Sequence, residues 1–485
     1  MNYIKRKPNI AITIKRPDYS SSSCPEYIIV KFMPKPVLED DKAKAGEKWA
    51  GAKNYEAMSD ALLSYSYSES VYDVESPFSL SFTPEVDKNG LTWIDKIAIM
   101  DLVYIEEFGV IRYCGIVHRV RYSAKMGQEG ATRTIVVSGN GFGDLLKSFQ
   151  LNVDPRFWLG KTAPALNQAT KAECATDEKK TMKATMDYYY DSFMKIVSLK
   201  DAGEGGSSTQ SAIKALLDRM IDKSKIADTF ETLLPIVASL YQPGVNNIWD
   251  MWRKIVPSPL CELFGRWDFD KQKYCIIARP APFEAEDWAA LDSFKIHPIA
   301  LTDYDVGFDD SEVSTYFYAT APNLSITDNM SLVVDKYKEN GAIDEEKWLK
   351  YGYRPLGTTI RFLKRDPDKP NSIPKALNDV AAMTKNWYCK NDEFLSGSIN
   401  LISIDDDSVM KYPVVGARAQ FLGGEFYIEQ IDRKWTYGDS PKTTLKVTRG
   451  YMYGSSGALL GPIKNLGKRL KEFEATTYRE NGQGS

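Results

Sequence analysis

Tyr113-Cys-Gly-Ile-Val117-His-Arg-Val120-Arg-Tyr122, followed by Thr134-Ile-Val-Val-Ser138-Gly139-Asn140-Gly141, reads as two extended segments that fold back on each other. Branched and aromatic residues alternate with polar ones, the mark of a strand with one covered face. About 310 residues later the pattern returns as Phe426-Tyr-Ile428-Glu-Gln-Ile431-Asp-Arg-Lys-Trp435, then Thr444-Leu-Lys-Val447-Thr-Arg449-Gly450. An aliphatic pair three apart recurs, Val117 with Val120 and Ile428 with Ile431. An aromatic follows it in each copy, and each copy closes on a glycine. Val117 to Thr134 is 17 positions and Ile428 to Thr444 is 16, so the copies align closely by count. A chain that builds one hairpin twice presents two similar surfaces, which points to assembly rather than to chemistry.

At 485 residues the chain exceeds what one core organises, and three to four units are expected. With 43% hydrophobic and 26% charged residues and a net charge of −3, it lacks the basic field of a protein that coats nucleic acid. Cys24, Cys114, Cys174, Cys261, Cys275 and Cys389 lie far apart without a C-x-x-C pair, and read as reduced, buried thiols. The two histidines, His118 and His297, exclude a histidine-rich metal centre. No secretory leader and no apolar run of membrane-spanning length is expected, so synthesis in a cytoplasm follows.

The organisation read from the sequence is α+β and β-dominated. Residues 1–24 form an N-terminal arm with an edge strand at Ile10 to Ile14. Residues 25–150 form a first β-barrel or sandwich with Tyr27–Phe32 and Phe78–Phe82 as strands, and 35–60 as a long polar loop. Residues 151–256 form a helix-rich insertion, with an amphipathic helix carrying Ile213, Leu216, Leu217, Met220 and Ile221 and a second one over 230–241. A second β domain takes 257–322 and 386–452, interrupted by an insertion at 323–385 that holds a helix over 372–386. A tail, 453–485, completes the chain.

Candidate chemistry is thin. Ser138-Gly-Asn-Gly-Phe-Gly143 has a phosphate-loop look, but no following lysine and no ribose-binding acid. The simpler reading is a turn that needs positive φ where a strand hands over to a helix. Asp309, Asp310 and Glu312, and Asp405, Asp406 and Asp407, are acidic clusters without the spacing of a glycosidase pair or a calcium loop. His118 reads as a strand-surface residue, with Glu429 or Gln430 in its place in the second copy. No catalytic, cofactor or metal residue is assigned, and no cofactor is expected.

The ordered run Trp93, Asp101-Leu-Val103-Tyr-Ile105, Gly115-Ile-Val117-His-Arg-Val120 and Gly139-Asn-Gly141-Phe-Gly-Asp-Leu-Leu resembles the first tube-type domain of tail hub proteins from bacteriophage and contractile injection-system baseplates. Ile428, Ile431, Thr444, Val447 and Gly450 resemble the end of the second such domain. The resemblance covers about half the chain. It implies two tail-tube-like β-barrel domains with mostly helical insertions, and a homotrimer that forms a pseudo-hexameric ring. That ring joins a hexameric tail tube protein to a separate trimeric spike protein, contacts other baseplate proteins and lines a channel for DNA or effectors, with Ser79 and Ser81 facing it. The location implied is the virion tail, assembled in the host cytoplasm. Two other readings stand beside it, a tail-tip protein of a non-contractile phage that engages the host surface and a two-domain β-rich carbohydrate-active enzyme.

Overall fold

Ile10, Ile12 and Ile14 alternate with more polar neighbours and are fully buried, which requires a strand with partners on both sides. The computed structural model describes residues 10–33, 58–59, 61–86, 89–127, 130–149, 179–197, 212–228, 231–233, 247–256, 258–320, 341–359, 372–403, 412–453, 459–465 and 467–472. The first unit contains β1 (Ile10–Pro17), β2 (Glu26–Phe32), β3 (Met58–Ser59), β4 (Leu62–Ser70), β5 (Phe78–Phe82), β6 (Leu102–Glu107), β7 (Val110–Gly127) and β8 (Gly130–Gly141). Their order is β4-β5-β8-β7-β6-β1-β2-β3. The expected arm at 1–24 and its edge strand are thus corrected: β1 is an interior strand between β6 and β2. Phe32 of β2 stacks on Phe82 of β5 at 4.2 Å although four strands separate them in the sheet. The sheet therefore curls over its own core, and among the described residues side-chain packing rather than a ladder closes this barrel-like unit. Trp93, on the short helix α1 (Trp93–Lys96), meets Phe32 edge-on at 4.8 Å at that closure.

After β8, α2 (Asp144–Ser148) leads into the insertion. Its described parts are β9 (Lys179–Thr181), α3 (Met182–Val197), α4 (Ala212–Met220), β10 (Ile221–Ile226), β11 (Glu231–Leu233) and α5 (Ile248–Ile255). The α4 stripe buries Leu216, Leu217 and Met220 as its spacing required, while Ile221 already belongs to β10. Residues 231–233 are a strand paired with β9, not helix, which corrects the reading of 230–241 in its described part. Asn247 caps α5 by accepting the Asp250 amide at 2.7 Å, and Trp252 on its buried face donates to Met186 O at 3.1 Å.

β12 (Cys261–Asp268) and β13 (Lys273–Pro280) follow, then α6 (Ala285–Ala289), β14 (Ser293–Lys295), β15 (Leu301–Gly307) and β16 (Tyr316–Thr320). Only β14 and β15 of this stretch join the large sheet, in contrast to the expectation that 257–322 belongs as a whole to the second β unit. The β12–β13 hairpin instead pairs with β10. Its reason is two apolar faces: Phe264, Cys275 and Ile277 enter the second unit's core, while Trp267, Tyr274 and Ile276 enter the core shared with the helices. β16 pairs with β17 (Gly341–Ile343) and β18 (Pro355–Thr359) in a separate small sheet, beside α7 (Glu345–Tyr351) and under α8 (Ser372–Tyr388). The second unit is completed by β19 (Ser396–Ile402), β20 (Arg418–Phe421), β21 (Gly424–Thr436), β22 (Lys442–Tyr453) and β23 (Leu459–Pro462). Its order is β15-β19-β22-β21, with β20 beside β21, β14 parallel to β20 and β23 beside β22. Part of the tail is thus a strand. Finally β21 pairs antiparallel with β4, so both units form one 15-stranded sheet. The protein is α+β with β dominant.

Candidate interaction surface

The two units are copies in detail. In the first, the ladder between β7 and β8 slips between Val117 and Arg119, leaving His118 as the extra residue of a bulge. In the second, β21 and β22 slip between Ile428 and Gln430, leaving Glu429 in the same role. His118 therefore corresponds to Glu429, and Gln430 to Arg119. A second shared bulge lies between β4 and β5 at Leu62/Ser64, and between β15 and β19 at Leu301/Asp303. The turns that feed the long strands match as well: Phe108 and Gly109 have φ of 53° and 83°, Leu422 and Gly423 have 52° and 68°. Two successive positive φ values are the mark of a tight hairpin turn that continues strand twist. Thus β4-β5-β8-β7-β6 corresponds to β15-β19-β22-β21-β20.

Register revises the correspondence reached by counting. Val117 faces Gly139 whereas Ile428 faces Val447, so Gly139 and Val447 are equivalents and Gly450 lies further along. Thr134, opposite Ser123, matches Lys442, opposite Lys434, and Thr444 matches Val136. The first hairpin is longer at its tip, so counting along the chain slips the return strand. The glycine-rich run also has another cause than positive φ. A Cβ on Gly139 would sit 1.8 Å from Ile116 O and 2.9 Å from the Phe78 ring, so the glycine lets two strands and a ring close up. Gly115, opposite Gly141, meets the same crowding from Asn140 O and Phe78.

The other sequence-selected residues fall into packing roles. Val103, Ile105 and Val117 are in the first unit's core with Val120 against its margin, and Ile428, Ile431 and Val447 are in the second's. Asp101 is buried and accepts Arg16 Nε and Nη2 at 2.8 and 2.9 Å and the Ala98 amide at 2.8 Å. Thr444 Oγ1 donates to Asn400 Oδ1 at 2.5 Å, and Gly450 leaves room for Phe426 and Ile463. His118 Nε2 lies 3.2 Å from Asp144 Oδ2. Burial pushes the Asp144 carboxyl up, but the neighbouring His118 and hydrogen bonds from Ser148 and Asn140 outweigh it and hold it below the usual range.

The junction of the two units is the part that sequence reading missed. Leu62–Ser70, LLSYSYSES, alternates serine with tyrosine at period two, a signal that was there to be read. Ser70 to Ser64 pair with Gln430 to Thr436, Val71 N–H donates to Glu429 O at 2.9 Å, and Tyr437 N–H donates to Leu63 O at 2.7 Å. On one face Tyr65, Tyr67, Ile431, Arg433 and Trp435 are buried. Arg433 donates to Tyr67 Oη at 3.0 Å and Pro413 O at 2.6 Å and lies 4.1 Å over the Tyr412 ring, while Tyr65 donates to Glu107 at 2.5 Å. Burial raises the Glu107 carboxyl above its usual range against the pull of Arg433, Tyr65 and Arg112. Burial raises Glu69 too, although it accepts the Trp267 amide at 3.0 Å.

The other face is polar and runs unbroken across the junction. Ser66, Ser68 and Ser70 stand opposite Lys434, Asp432 and Gln430, and Ser79 and Ser81 continue the face onto β5. Gln430 donates to Ser68 at 3.2 Å and Asp432 at 2.8 Å and accepts from Lys446 at 3.0 Å. The face thus combines small hydroxyls with residues of both charge signs, Asp432 beside Lys434 and Lys446, bridged in part by Gln430.

The acidic residues singled out in the sequence take local roles where they are described. Asp309 accepts the Ser311 amide at 2.7 Å and Asp310 accepts from Arg354 at 3.1 Å, as turn and ion-pair residues. Asp405, Asp406, Asp407 and Cys174 lie outside the described residues. Cys24, Cys114, Cys261, Cys275 and Cys389 are buried and unpaired. No group of three His, Cys, Asp or Glu among the described residues is placed to hold a metal ion, and no described helix is long and apolar enough to cross a membrane.

No family model and no curated protein matches this chain. Solved structures similar to it include the 43 kDa tail protein of prophage MuSo2 from Shewanella oneidensis, at TM-score 0.48 and 11% identity over 91% of this chain and 98% of that one. The tail protein from Neisseria meningitidis MC58 gives 0.47 and 9% over 92% and 97%. The prophage tail protein gp18 from Listeria monocytogenes EGD-e gives 0.40 and 10% over 90% and 94%. With these TM-scores below 0.5, the functional reading rests on the duplication within the chain itself.

Proposed function

We propose that this chain is a structural hub of a phage tail or phage-like injection machine. In that role three copies form a ring of six related β units, with one face fitted to a hexameric tail tube, the other to a separate trimeric spike, and other baseplate proteins around it. The observation that carries the reading is the pair of units that share two bulges, a turn and a strand order, and that already sit side by side in one sheet. A unit repeated within a chain and joined edge to edge has the geometry of one step of a ring, and a ring of six such units closes with three chains. The Ser-rich polar face is our candidate for the channel lining, because small hydroxyls interspersed with charges of both signs offer DNA or a protein cargo little to adhere to. Ser79 and Ser81 lie on it, and the signature residues from Trp93 to Gly450 act as scaffold. The place of action is then the tail, after assembly in the host cytoplasm.

The test is the particle. The 485-residue chain, 54.7 kDa per copy, is measured by mass photometry and imaged by electron microscopy. The expected result is a three-chain ring with a central opening and apparent sixfold symmetry in its inner wall. A monomer at all concentrations, or a closed twofold dimer, overturns the reading.

A further inference from the structure

The junction between β4 and β21 uses an edge of each unit that the other unit also owns. β15 is the equivalent of β4, yet among the described residues it pairs only with β19 and ends the sheet. The outer half of β7 is the equivalent of the outer half of β21, yet its pairing with β6 stops at Ile116. Val117 then exchanges bonds with Met100 and Asp101, as Ile428 does with Gly416 and Ala417. Beyond that point, among the described residues, β7 has a strand on one side only. From this we infer that β15 of one copy pairs antiparallel with the outer half of β7 of the next, in the register of the internal junction. The inference rests on the ring reading above and specifies how its copies join.

The shared bulges fix the register. Tyr65, Tyr67 and Glu69 correspond to Tyr304, Val306 and Phe308, while Ile431, Arg433 and Trp435 correspond to Val120, Tyr122 and Ala124. Transferring the pairs of β4 with β21 puts Val306 opposite Tyr122, Asp305 opposite Ser123 and Gly307 opposite Arg121. Continuing the count places Phe308 opposite Val120 and Asp309 opposite Arg119.

Burial shows what is missing. Where the junction is made, Glu69 and Arg433 are 2% and 1% exposed; where it is open, their equivalents Phe308 and Tyr122 are 58% and 48% exposed. Both are large apolar side chains on the face that the internal junction covers. Charge agrees with the pairing. The open β15 edge carries Asp303, Asp305 and Asp309, and the open β7 edge carries Arg119 and Arg121, all five exposed. Two copies of β15, or two copies of β7, would set like charges opposite each other, so the edges select head-to-tail contact over a twofold one. An open ladder edge that is not covered is also a liability for unregistered pairing.

The test is register-specific cross-linking of the full chain. By alternation from the Val71 and Tyr437 bonds, Tyr67 with Arg433 is a hydrogen-bonded pair and Ser66 with Lys434 is not. Asp305 and Ser123 therefore form a non-hydrogen-bonded pair, with Cα atoms expected about 4.5 Å apart, which suits a disulfide. Oxidised Asp305→Cys/Ser123→Cys is expected to give covalent multimers up to the closed ring. A one-residue shift, Asp305→Cys/Tyr122→Cys, points the thiols to opposite faces and is expected to give none. Mixing the two single variants should yield a heterodimer, whereas either alone should not link. Val306→Pro removes an outward N–H, so the monomer's circular dichroism and melting are expected to hold while assembly is lost. Arg119→Glu should weaken assembly about tenfold and Asp309→Arg should restore it. A wild-type three-chain ring in which Asp305→Cys/Ser123→Cys fails to link overturns this pairing and leaves the ring reading intact. A wild type that never assembles overturns the ring reading and the pairing with it. Efficient linking in either single variant overturns head-to-tail contact.

Discussion

Arg433→Met removes the charge from the buried centre of the junction while keeping most of the side-chain volume. The substitution deletes the donors to Tyr67 Oη and Pro413 O and the cation over Tyr412, and leaves Glu107 with one positive neighbour fewer. Stranding buried polar groups costs about 1–3 kcal/mol each, and breaking a buried charge network about 3–5 kcal/mol in total. Hydrogen exchange read by mass spectrometry on peptides covering 62–70 and 424–436 follows the junction directly. At about 1.4 kcal/mol per decade, exchange there should quicken by roughly two to three and a half orders of magnitude. Peptides from the separate small sheet of β16, β17 and β18, which shares no ladder with the junction, should change by less than about one decade. Adding Glu107→Gln should recover at least about 1 kcal/mol, since the two residues share one network. Equal acceleration in every peptide, or strict additivity of the two substitutions, would refute the claim that this network holds the units together.

Gly139→Ala should cost at least about 1–3 kcal/mol in denaturant unfolding, because its Cβ would overlap Ile116 O. A neutral outcome would show that the strand crossing has slack. Gly423→Ala, at φ 68°, should cost about 1–2 kcal/mol, read in the same way. For pH, burial holds the Glu107 and Glu69 carboxyls above their ordinary value of 4.5, so the folded chain keeps protons that the unfolded chain releases. Their contribution is greatest below about 4.5 and falls as pH rises toward the folded value. Glu107→Gln should therefore flatten the decline of stability with pH above 4.5, measured as a thermal-melting series. Asp144 runs the other way: its lowered carboxyl stabilises above 3.8 and loses that contribution as pH falls through the folded value. His118→Ala should reduce the contribution by about 0.5–1.5 kcal/mol, visible as a smaller drop in acid.

Much of the β content was readable because a strand announces itself within a few residues. The hairpin copies, the α4 stripe and the helix over 372–386 all follow from local period. The misreadings have nonlocal causes. Ile10 to Ile14 looked like an edge because an isolated alternating run does not say how many neighbours it has. Phe264 and Trp267 alternate on one hairpin, yet which core each enters depends on elements far away in the chain. The LLSYSYSES strand alternates at period two, but its serines dilute the hydrophobic signal.

By itself, the sequence determined that one hairpin is built twice, because strand alternation is set by neighbours along the chain. Only the tertiary structure decided that the units join through β4 and β21, whose contacting residues Tyr67 and Arg433 are 366 positions apart. It also decided that His118 answers to Glu429, and that β15 and the outer half of β7 keep open edges among the described residues. A ladder bond costs the same local geometry whichever partner supplies it, so the choice of partner is made by the packing of whole sheets.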